Sequence, residues 1–439
     1  MLLAAARFKE CGTIPETMLK GLVWNKYNTT IGILVILLLC LQGLTVLLVP
    51  VLNTPHETGY KSKAMEENSV ILQRSKKKLL EDLLMYKTKI QNAHTMDSSG
   101  TYMLLPNLIV PAGDKASASN LTICTQTTAN HLHNLQDLTS VWTGPVSVTV
   151  FTHGFKAAHD LYTIVYYHSC FTNIARMVTF HIVYPISNPP QNLSSLLHVE
   201  LRCDNHIKHS AYEENLNYAS NIPYPHNVLR NIAITNSVSA YVLVIDIDLI
   251  PSLDLYSQFQ QFVKRRTRSK SGSQERIVYV LPSFETNSDN VNFTKKSLLS
   301  RWSSGSVRPF YATACEKCQL QTDYELWRQV PAVSFLDIAY QVEWDGIWEP
   351  FYIALKEGLL PYDGRFKQYG FNRISQVCEM HLAGFQFAVF NNAFVVHQGF
   401  KEKSGFHSAK DEENRRNKEL YNLLKHELKD RYPESNRHC

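Results

Sequence analysis

Hydrophobic and polar positions along most of this chain change their spacing from one segment to the next. After about residue 98, short apolar runs rich in β-branched residues alternate with stretches in which apolar residues recur at helical spacing. Such alternation is typical of an α/β domain built on a largely parallel sheet. The pattern predicts strands at 121–127, 146–151, 177–184 and 241–247, and helices at 130–142, 161–171 and 227–235.

The predicted strand at 241–247 ends in two carboxylates, Asp246 and Asp248, within the stretch YVLVIDIDLIPS. Side chains two residues apart in a strand point to the same side, so both acids are expected to face one way. Carboxylates this close repel each other, and a divalent cation bound by oxygen ligands would offset that cost. Ligands of such sheets bind beyond the carboxyl ends of the strands, so the pair predicts a Mg²⁺ or Mn²⁺ site. The alternative is a pair of acids that cap loop amides or bind an arginine.

The N-terminal part of the chain has a different pattern, a long apolar run. Ile31 to Val49 has no charged residue and no polar face. About 20 apolar residues are needed for a helix to cross the hydrocarbon core of a membrane. The run is longer than the apolar core of a secretory signal peptide, and no small-residue cleavage site follows it. We therefore predict an uncleaved signal-anchor at 31–52, preceded by a cytosolic tail at 1–30.

Polar sequence rich in Lys and Glu follows the predicted span, over residues 53–97. Four leucines at helical spacing make a helical stem one interpretation, and a disordered tether is the other. Residues 98–439 form the predicted lumenal domain. Three Asn-X-Ser/Thr sequons, at Asn120, Asn192 and Asn292, favour the lumenal placement of this part of the chain.

Composition and cysteine content narrow the class of protein. The 439-residue chain is 44% hydrophobic with a net charge of +5, which fits a globular protein and gives no basic patch for nucleic acid. Seven of the nine cysteines follow the predicted span, as expected in an oxidising compartment. Cys315 and Cys318 predict a disulfide, locally or to other cysteines, because no second C-x-x-C completes a zinc site. Since seven is odd, at least one cysteine is free or intermolecular, and the terminal Cys439 is our candidate.

Six longer motifs follow one another in the predicted lumenal domain: YPHNVLRN (224–231), YVLVIDIDLIPS (241–252), VRPFY (307–311), WEPFY (348–352), YDGRFKQYGFNRISQVCE (362–379) and FVVHQGFKE (394–402). Together they resemble glycosyltransferase family 49 over residues 98–439. The resemblance implies a GT-A fold, in which helices flank a Rossmann-like mixed sheet. It also implies a single-pass type II Golgi membrane protein that depends on Mn²⁺, with Mg²⁺ as the alternative cation.

The resemblance further implies a reaction, the transfer of glucuronate from UDP-glucuronate to a xylose acceptor through a β-1,4 linkage with inversion. In the family this step primes the xylose–glucuronate glycan of O-mannosylated α-dystroglycan. A xylose-terminated glycan and the enzyme that polymerises the repeat are therefore the expected partners. The alternatives are a member that uses another UDP-sugar, such as UDP-N-acetylglucosamine, and an inactive Golgi-tethered binding protein. Gly364 keeps the last alternative open, because family members often have glutamate there.

The family's metal-binding and catalytic residues can be matched to positions of this sequence. Asp246 and Asp248 match the metal-binding pair, and His397 lies where GT-A enzymes often place a third ligand. Read alone, a histidine at a strand end is more often a core or loop residue. An inverting transfer needs a base for the acceptor hydroxyl proton, and Glu349 and Asp363 are the candidates. Glu349 could instead be a salt-bridge partner.

Residues for the donor sugar and for the acceptor follow from chemistry. A glucuronate carboxylate is best bound by a bidentate arginine, or the arginines could form structural ion pairs. Aromatic rings beside Glu349 could stack on sugar faces, or they could belong to the core. The donor candidates are Arg230, Arg365, Arg373, Asn227, Asn231 and Asp246, and the aromatic candidates are Trp348, Phe351 and Tyr352.

Overall fold

A computed structural model describes residues 81–93, 95–111, 120–198, 203, 222–268, 276–288, 291–402 and 408–439. The predicted cytosolic tail, the predicted span and the predicted stem up to residue 80 lie outside these residues. Among the helices of the described part, none has the length and hydropathy that a membrane crossing requires. Residues 81–91 are helical and bury Leu83, Tyr86 and Ile90 in the main hydrophobic core. This part of the predicted stem therefore packs on the domain that follows it.

The described residues form two sheets flanked by helices, a mixed α/β architecture. The strands are β1 (Thr95–Met96), β2 (Tyr102–Ile109), β3 (Leu121–Thr128), β4 (Val146–Phe151), β5 (Val178–Pro185), β6 (Tyr241–Val244), β7 (Leu249–Pro251), β8 (Ile277–Leu281), β9 (Ser283–Thr286), β10 (Val307–Pro309), β11 (Ile338–Val342), β12 (Phe351–Leu355), β13 (Gln386–Phe390) and β14 (Val395–Gln398). The helices are α1 (Asn134–Val141), α2 (Lys156–Cys170), α3 (Thr172–Met177), α4 (His226–Thr235), α5 (Leu255–Arg268), α6 (Lys295–Ser303), α7 (Tyr324–Gln329), α8 (Ile374–Leu382) and α9 (Lys410–Arg431).

The larger sheet has ten strands in the order β1-β2-β5-β4-β3-β6-β12-β8-β13-β11. Its central strands β5, β4, β3 and β6 are parallel, as the sequence pattern predicts, whereas β12 runs antiparallel to both of its neighbours. Every residue of β4 is buried, which is typical of a parallel strand covered on both faces. The buried Ser147 of β4 donates its hydroxyl to the Ala233 carbonyl of α4, so the polar position is satisfied.

The second sheet has four strands in the order β10-β9-β14-β7 and lies where the chain leaves β6. The predicted strand at 241–247 ends earlier, at Val244, because the chain turns there to enter this sheet as β7. The Leu249 amide donates to the Asp246 carbonyl at 3.1 Å, which closes the turn. Asp246 and Asp248 therefore lie in the connection between the two sheets, and the prediction that strand alternation points both acids to one side was wrong.

Three disulfides join Cys170 to Cys203, Cys315 to Cys318, and Cys378 to Cys439. The local disulfide of the C-x-x-C motif is thus confirmed. Our choice of Cys439 as the unpaired cysteine was wrong, because the C-terminus reaches Cys378 on α8. The free cysteine among the described residues is Cys124, which is buried on β3.

The three sequons differ in exposure. Asn192 and Asn292 are exposed, whereas Asn120 is partly exposed at the start of β3. The hydroxyl of Thr122, which completes the first sequon, is buried and donates to Ser239 at 2.7 Å. Glycosylation of the three asparagines stays a prediction.

Candidate active site

A cavity of about 690 Å³ lies beyond the carboxyl ends of β3 and β6. Its walls come from the turn after β6, the segment after β10, the segment before α8, and the first turns of α9. This is the edge of the sheet at which the sequence predicts a ligand site. Of the predicted site residues, five line the cavity: Arg230, Asp246, Asp248, Glu349 and Arg373.

Asp248, which lines the cavity, contacts His397, which lies behind the lining, although the two are far apart in sequence. Pairing of β14 with β7 brings His397 opposite Leu249, and its Nε2 lies 3.1 Å from the Asp248 carboxylate. The other ring nitrogen, Nδ1, lies 2.7 Å from the Gly399 carbonyl, which can only accept, so Nδ1 carries a proton. In a neutral ring the Nε2 lone pair then faces the carboxylate, and a proton or a metal ion must lie between them.

The electrostatics of Asp248 match this arrangement. Burial raises the pKa of its carboxyl group, but the hydrogen bond and charge of His397 and the charge of Lys401 outweigh burial and hold the pKa well below its usual range. Asp248 is therefore an anion at neutral pH. A carboxylate with an imidazole nitrogen beside it suits a divalent cation such as Mn²⁺.

Asp246 is oriented differently from Asp248. One of its oxygens binds Arg230 Nη2 at 3.0 Å and the other lies 3.5 Å from Arg373 Nη1. Burial raises the pKa of Asp246, but Arg373 and Arg230 lower it below the usual value. Within the part of the chain that the structure describes, no group of three or more His, Cys, Asp or Glu side chains is arranged to hold a metal ion. The predicted trio is thus not assembled: Asp248 and His397 meet, while Asp246 binds two arginines.

Arg230 and the two asparagines of α4 form a positioning network. Arg230 is buried, and its Nη1 donates to Asn227 at 3.0 Å and to Asn372 at 2.8 Å. Asn227 in turn donates to the carbonyls of Asp363 and Asn372, and Asn231 exchanges two hydrogen bonds with the backbone of Tyr362. The structure does not bring the two predicted donor-binding asparagines to the cavity; they fix the chain between residues 362 and 372 instead.

Asp363 and Arg365 lie outside the cavity lining. Arg365 binds Asp363 at 2.6 Å and Glu427 of α9 at 2.7 Å, and its side chain is 44% exposed. The structure therefore places the predicted base Asp363 and the predicted donor ligand Arg365 in a surface ion pair. Gly364 between them also lies outside the lining, and a Cβ added there would stand 3.2 Å from Val228. Glycine at position 364, where family members often have glutamate, therefore leaves the lining of the cavity unchanged.

Glu349 and Arg373 face each other inside the cavity. Arg373 Nε lies 3.6 Å from the Glu349 carboxylate, and the guanidinium lies over the Phe351 ring at 4.2 Å. Arg373 Nη1 is buried without a hydrogen-bond partner. Burial raises the pKa of Glu349 although Arg373 and Arg230 oppose the shift. The site thus holds a carboxylate that can take a proton and a cation with unused donor capacity.

The segment around the Cys315–Cys318 disulfide holds Glu349 in place. The Glu349 amide donates to the Cys318 carbonyl at 2.9 Å, and its carbonyl accepts from the Gln319 side chain at 3.0 Å. Both half-cystines line the cavity. These two hydrogen bonds fix the backbone of Glu349, and its side chain projects into the cavity towards Arg373.

Of the two alternatives for the aromatic residues beside Glu349, stacking on sugars or membership of the core, the structure shows the second. Trp348, Phe351 and Tyr352 are each at most 1% exposed and belong to the main core. The rings that line the cavity come from other segments: Tyr224, Phe310, Tyr311, Tyr369 and Phe371. All five lie in motifs of the sequence, in YPHNVLRN, VRPFY and YDGRFKQYGFNRISQVCE, which was the signal available.

Sequence reasoning also missed polar residues of the cavity. Lys401 Nζ lies 3.6 Å from Asp248, and it follows His397 by four residues in FVVHQGFKE. His226 lines the cavity with a buried Nδ1 that lacks a hydrogen-bond partner, and burial together with Arg230 lowers its pKa to about 3. Lys410 and Asn414 come from α9, which its leucine pattern assigned to packing alone.

Comparisons with known proteins find relatives that match most of the chain. The family model described as "Glycosyl-transferase for dystroglycan" matches residues 120–433. Beta-1,4-glucuronyltransferase 1 of Danio rerio is 39% identical over 364 residues, which cover 78% of this chain and 83% of the relative. The human protein of that name is 36% identical over 367 residues, covering 80% and 85%. A solved structure of GalNAc-T7 with UDP, GalNAc and Mn²⁺ aligns with 66% of this chain and with 45% of the GalNAc-T7 chain. The TM-score is 0.35 and the sequence identity is 8%, so this similarity supports no conclusion about function.

Proposed function

Because the chain belongs to the family of glycosyl-transferases for dystroglycan, and is therefore a glycosyltransferase, we propose that it transfers glucuronate from UDP-glucuronate to a xylose acceptor. The relatives named beta-1,4-glucuronyltransferase support the choice of sugar and linkage. The observation that carries the proposal is Arg373, a cavity guanidinium whose buried Nη1 lies 3.5 Å from Asp246 and whose Nε lies 3.6 Å from the candidate base, with Nη1 hydrogen-bonded to no side chain. A donor sugar with a carboxylate would supply the missing acceptor.

Asp248 and His397 are the residues that would hold a divalent cation, and Mn²⁺ is the ion we propose. When bound, such an ion neutralises the charge that develops on the departing nucleoside diphosphate. Lys401 brings a further positive charge beside Asp248 and is the candidate partner for a phosphate oxygen. Asp246 binds Arg230 and Arg373, so its negative charge holds these two arginines in place for the donor.

Glu349 is the proposed base of an inverting displacement. The acceptor hydroxyl oxygen of xylose attacks C1 of glucuronate, its proton passes to a Glu349 oxygen, and the bond from C1 to the diphosphate oxygen breaks. The raised pKa of Glu349 brings its proton affinity closer to that required of a base at neutral pH. Arg373, within 3.6 Å of both Asp246 and Glu349, is positioned to bind the donor carboxylate, which C5 of the sugar carries.

We place the reaction in the Golgi lumen, with a signal-anchor at 31–52 and a GT-A arrangement of the catalytic domain. Family membership and the disulfides support this placement, because disulfides persist in oxidising compartments. The family's description names dystroglycan. We therefore propose the xylose–glucuronate glycan of O-mannosylated α-dystroglycan as the product's destination, and the enzyme that extends this glycan as a partner.

A donor screen tests the proposed function. The full chain, purified in detergent, is given a β-xyloside, Mn²⁺ and one UDP-sugar at a time: UDP-glucuronate, UDP-glucose, UDP-xylose or UDP-N-acetylglucosamine. We expect turnover with UDP-glucuronate, a product whose proton NMR coupling shows a β linkage, and loss of turnover in EDTA that Mn²⁺ restores. Turnover of UDP-N-acetylglucosamine with none of UDP-glucuronate would refute the donor assignment.

Replacement of Arg373 tests the recognition of the donor carboxylate. Loss of a buried hydrogen-bonded charge pair typically costs 2–5 kcal/mol, so we expect Arg373→Gln to lower kcat/KM for UDP-glucuronate by about 100-fold. The ratio of kcat/KM for UDP-glucuronate to kcat/KM for UDP-glucose should fall by a similar factor. UDP-glucose has no carboxylate, so the substitution removes no such contact from it. The matched control is Arg365→Gln at the surface ion pair, which should leave the discrimination unchanged. Equal losses for both donors in Arg373→Gln would remove Arg373 from this role.

A further inference from the structure

Glu285 on β9 carries a carboxylate to which the proposed function assigns no role. Its hydrogen bonds go to the side chain of Arg308 and to two backbone amides. It is fully buried, and a buried carboxylate is costly unless it is paired and hydrogen-bonded. Its Oε1 accepts from Arg308 Nε at 2.5 Å. Its Oε2 accepts the backbone amide of Lys401 at 3.1 Å and, in a longer contact of 3.4 Å, the backbone amide of Tyr311.

These two amides belong to two different walls of the cavity. Tyr311 lies in the segment after β10, and Lys401 lies in the segment after β14. Tyr311 has a φ of 63°, in the left-handed region that non-glycine residues occupy only when the surroundings enforce it. Lys401 is the cation beside Asp248. One carboxylate oxygen thus holds a strained aromatic residue and the cation of the proposed phosphate site.

Other contacts of the same network join the two walls. Arg308 also binds Glu402 at 2.7 Å and lies over the Phe400 ring at 4.1 Å. Thr313 donates its hydroxyl to the Lys401 carbonyl at 2.9 Å. In the sheet, Glu285 on β9 is the register partner of His397 on β14. The Glu285 carboxylate therefore lies where three parts of the chain meet: strand β14, which carries His397, the segment after β14, which carries Lys401, and the segment after β10, which carries Tyr311.

We infer that Glu285 is a positioning residue of the transferase reaction, which sets the placement of Lys401 and Tyr311 through their backbone amides. The inference rests on the proposed function for the identity of the bound nucleotide. Glu285 itself touches no substrate. Its effect is on how well the two walls fit the donor, and misplacement of a binding group by about 1 Å can cost about 100-fold in rate.

The test compares two carboxylates that share Arg308. Glu285→Gln keeps the shape but removes the charge that holds both amides, whereas Glu402→Gln removes a half-exposed partner that touches neither amide. We expect Glu285→Gln to lower kcat/KM by about 100-fold and to weaken UDP binding, measured by calorimetry, by about 10-fold. Glu402→Gln should stay within about 2-fold of the wild type in both. If Glu285→Gln lowers only Tm and leaves kcat, KM and UDP binding of the folded protein unchanged, the residue is structural and the inference is wrong.

A double-mutant cycle shows whether Glu285 acts through Lys401. Residues that act through each other have non-additive effects, so Glu285→Gln should cost less UDP affinity in a Lys401→Ala background than in the wild type. Fully additive losses would contradict the inference. Should Glu285→Gln not fold, Glu285→Asp keeps the charge with a shorter reach, and the same cycle is run with it. UDP binding is measured without a sugar donor, so a wild type that binds UDP but does not turn over UDP-glucuronate refutes the proposed function and leaves this test intact.

Discussion

An Asp248→Asn variant is expected to lose at least about 1,000-fold in kcat/KM and to bind UDP no more tightly with Mn²⁺ than without it. The substitution removes the negative charge that faces His397 Nε2 at 3.1 Å and leaves the size of the side chain almost unchanged. Stabilisation of transition-state charge by a bound cation amounts to several kcal/mol, and each 1.36 kcal/mol is a factor of about ten in rate. The measurements are initial rates over a range of Mn²⁺ concentrations and calorimetric titrations of UDP.

The fold of Asp248→Asn should persist, because the Asp248 side chain lines the cavity and belongs to no core cluster. Circular dichroism melts check this point. The matched control is Asp345→Asn in an exposed loop, which should be indistinguishable from the wild type. An Asp248→Asn protein that keeps Mn²⁺-dependent UDP binding would show that the cation is held elsewhere.

The central sheet and the location of the site could be predicted from the sequence, because both depend on local patterns. The apolar run that ends near Val244 predicted a central parallel strand, and the carboxylates after it predicted the edge at which the cavity lies. The pattern could not show that the strand ends two residues before Asp246. Where the chain leaves one sheet for another is decided by pairing of β7 with β14, whose sequence lies more than 140 residues away.

The assignment of roles to similar residues was the part that the sequence could not determine. Glu349 with Arg373 and Asp363 with Arg365 are both acid–arginine pairs close to aromatic residues, and local sequence does not rank them. Tertiary packing separates them, because Glu427 of α9 binds Arg365 at the surface, whereas Arg373 is buried in the cavity lining between Asp246 and Glu349. Cysteine parity likewise predicted one unpaired cysteine, but the choice of Cys124 depended on the burial of β3.

The role of Glu285 could not be predicted from the sequence either. Glu285 lies in the four-residue strand Ser283–Thr286, in which Phe284 is the single apolar residue, and would be expected to face solvent by charge alone. It is buried because its partners, two backbone amides and Arg308, come from segments that the sheet order brings together. Backbone donors leave no trace in a sequence, so a carboxylate that organises them is visible only in the folded chain.

Replacement of the proposed base has the second large effect. We expect Glu349→Gln to lower kcat by about 1,000-fold while UDP affinity stays within about 3-fold of the wild type, because general base catalysis typically contributes 10²–10⁴-fold and glutamine cannot take the proton. Initial rates at saturating donor and acceptor, together with UDP calorimetry, measure the two quantities. The matched control is Asp363→Asn at the rival carboxylate, which lies outside the cavity lining and should leave kcat unchanged.

The pH dependence of the wild type gives an independent check on Glu349. A base must be deprotonated, and burial raises the pKa of Glu349, so kcat/KM should fall as pH falls through a value above the usual range of glutamate. When the donor carboxylate binds Arg373, that cation stabilises the Glu349 anion less, so the acid limb of kcat should lie at higher pH than that of kcat/KM. Both limbs should disappear from the residual activity of Glu349→Gln. A variant that keeps the wild-type acid limb and a kcat within about 10-fold of the wild type would assign the base to another residue.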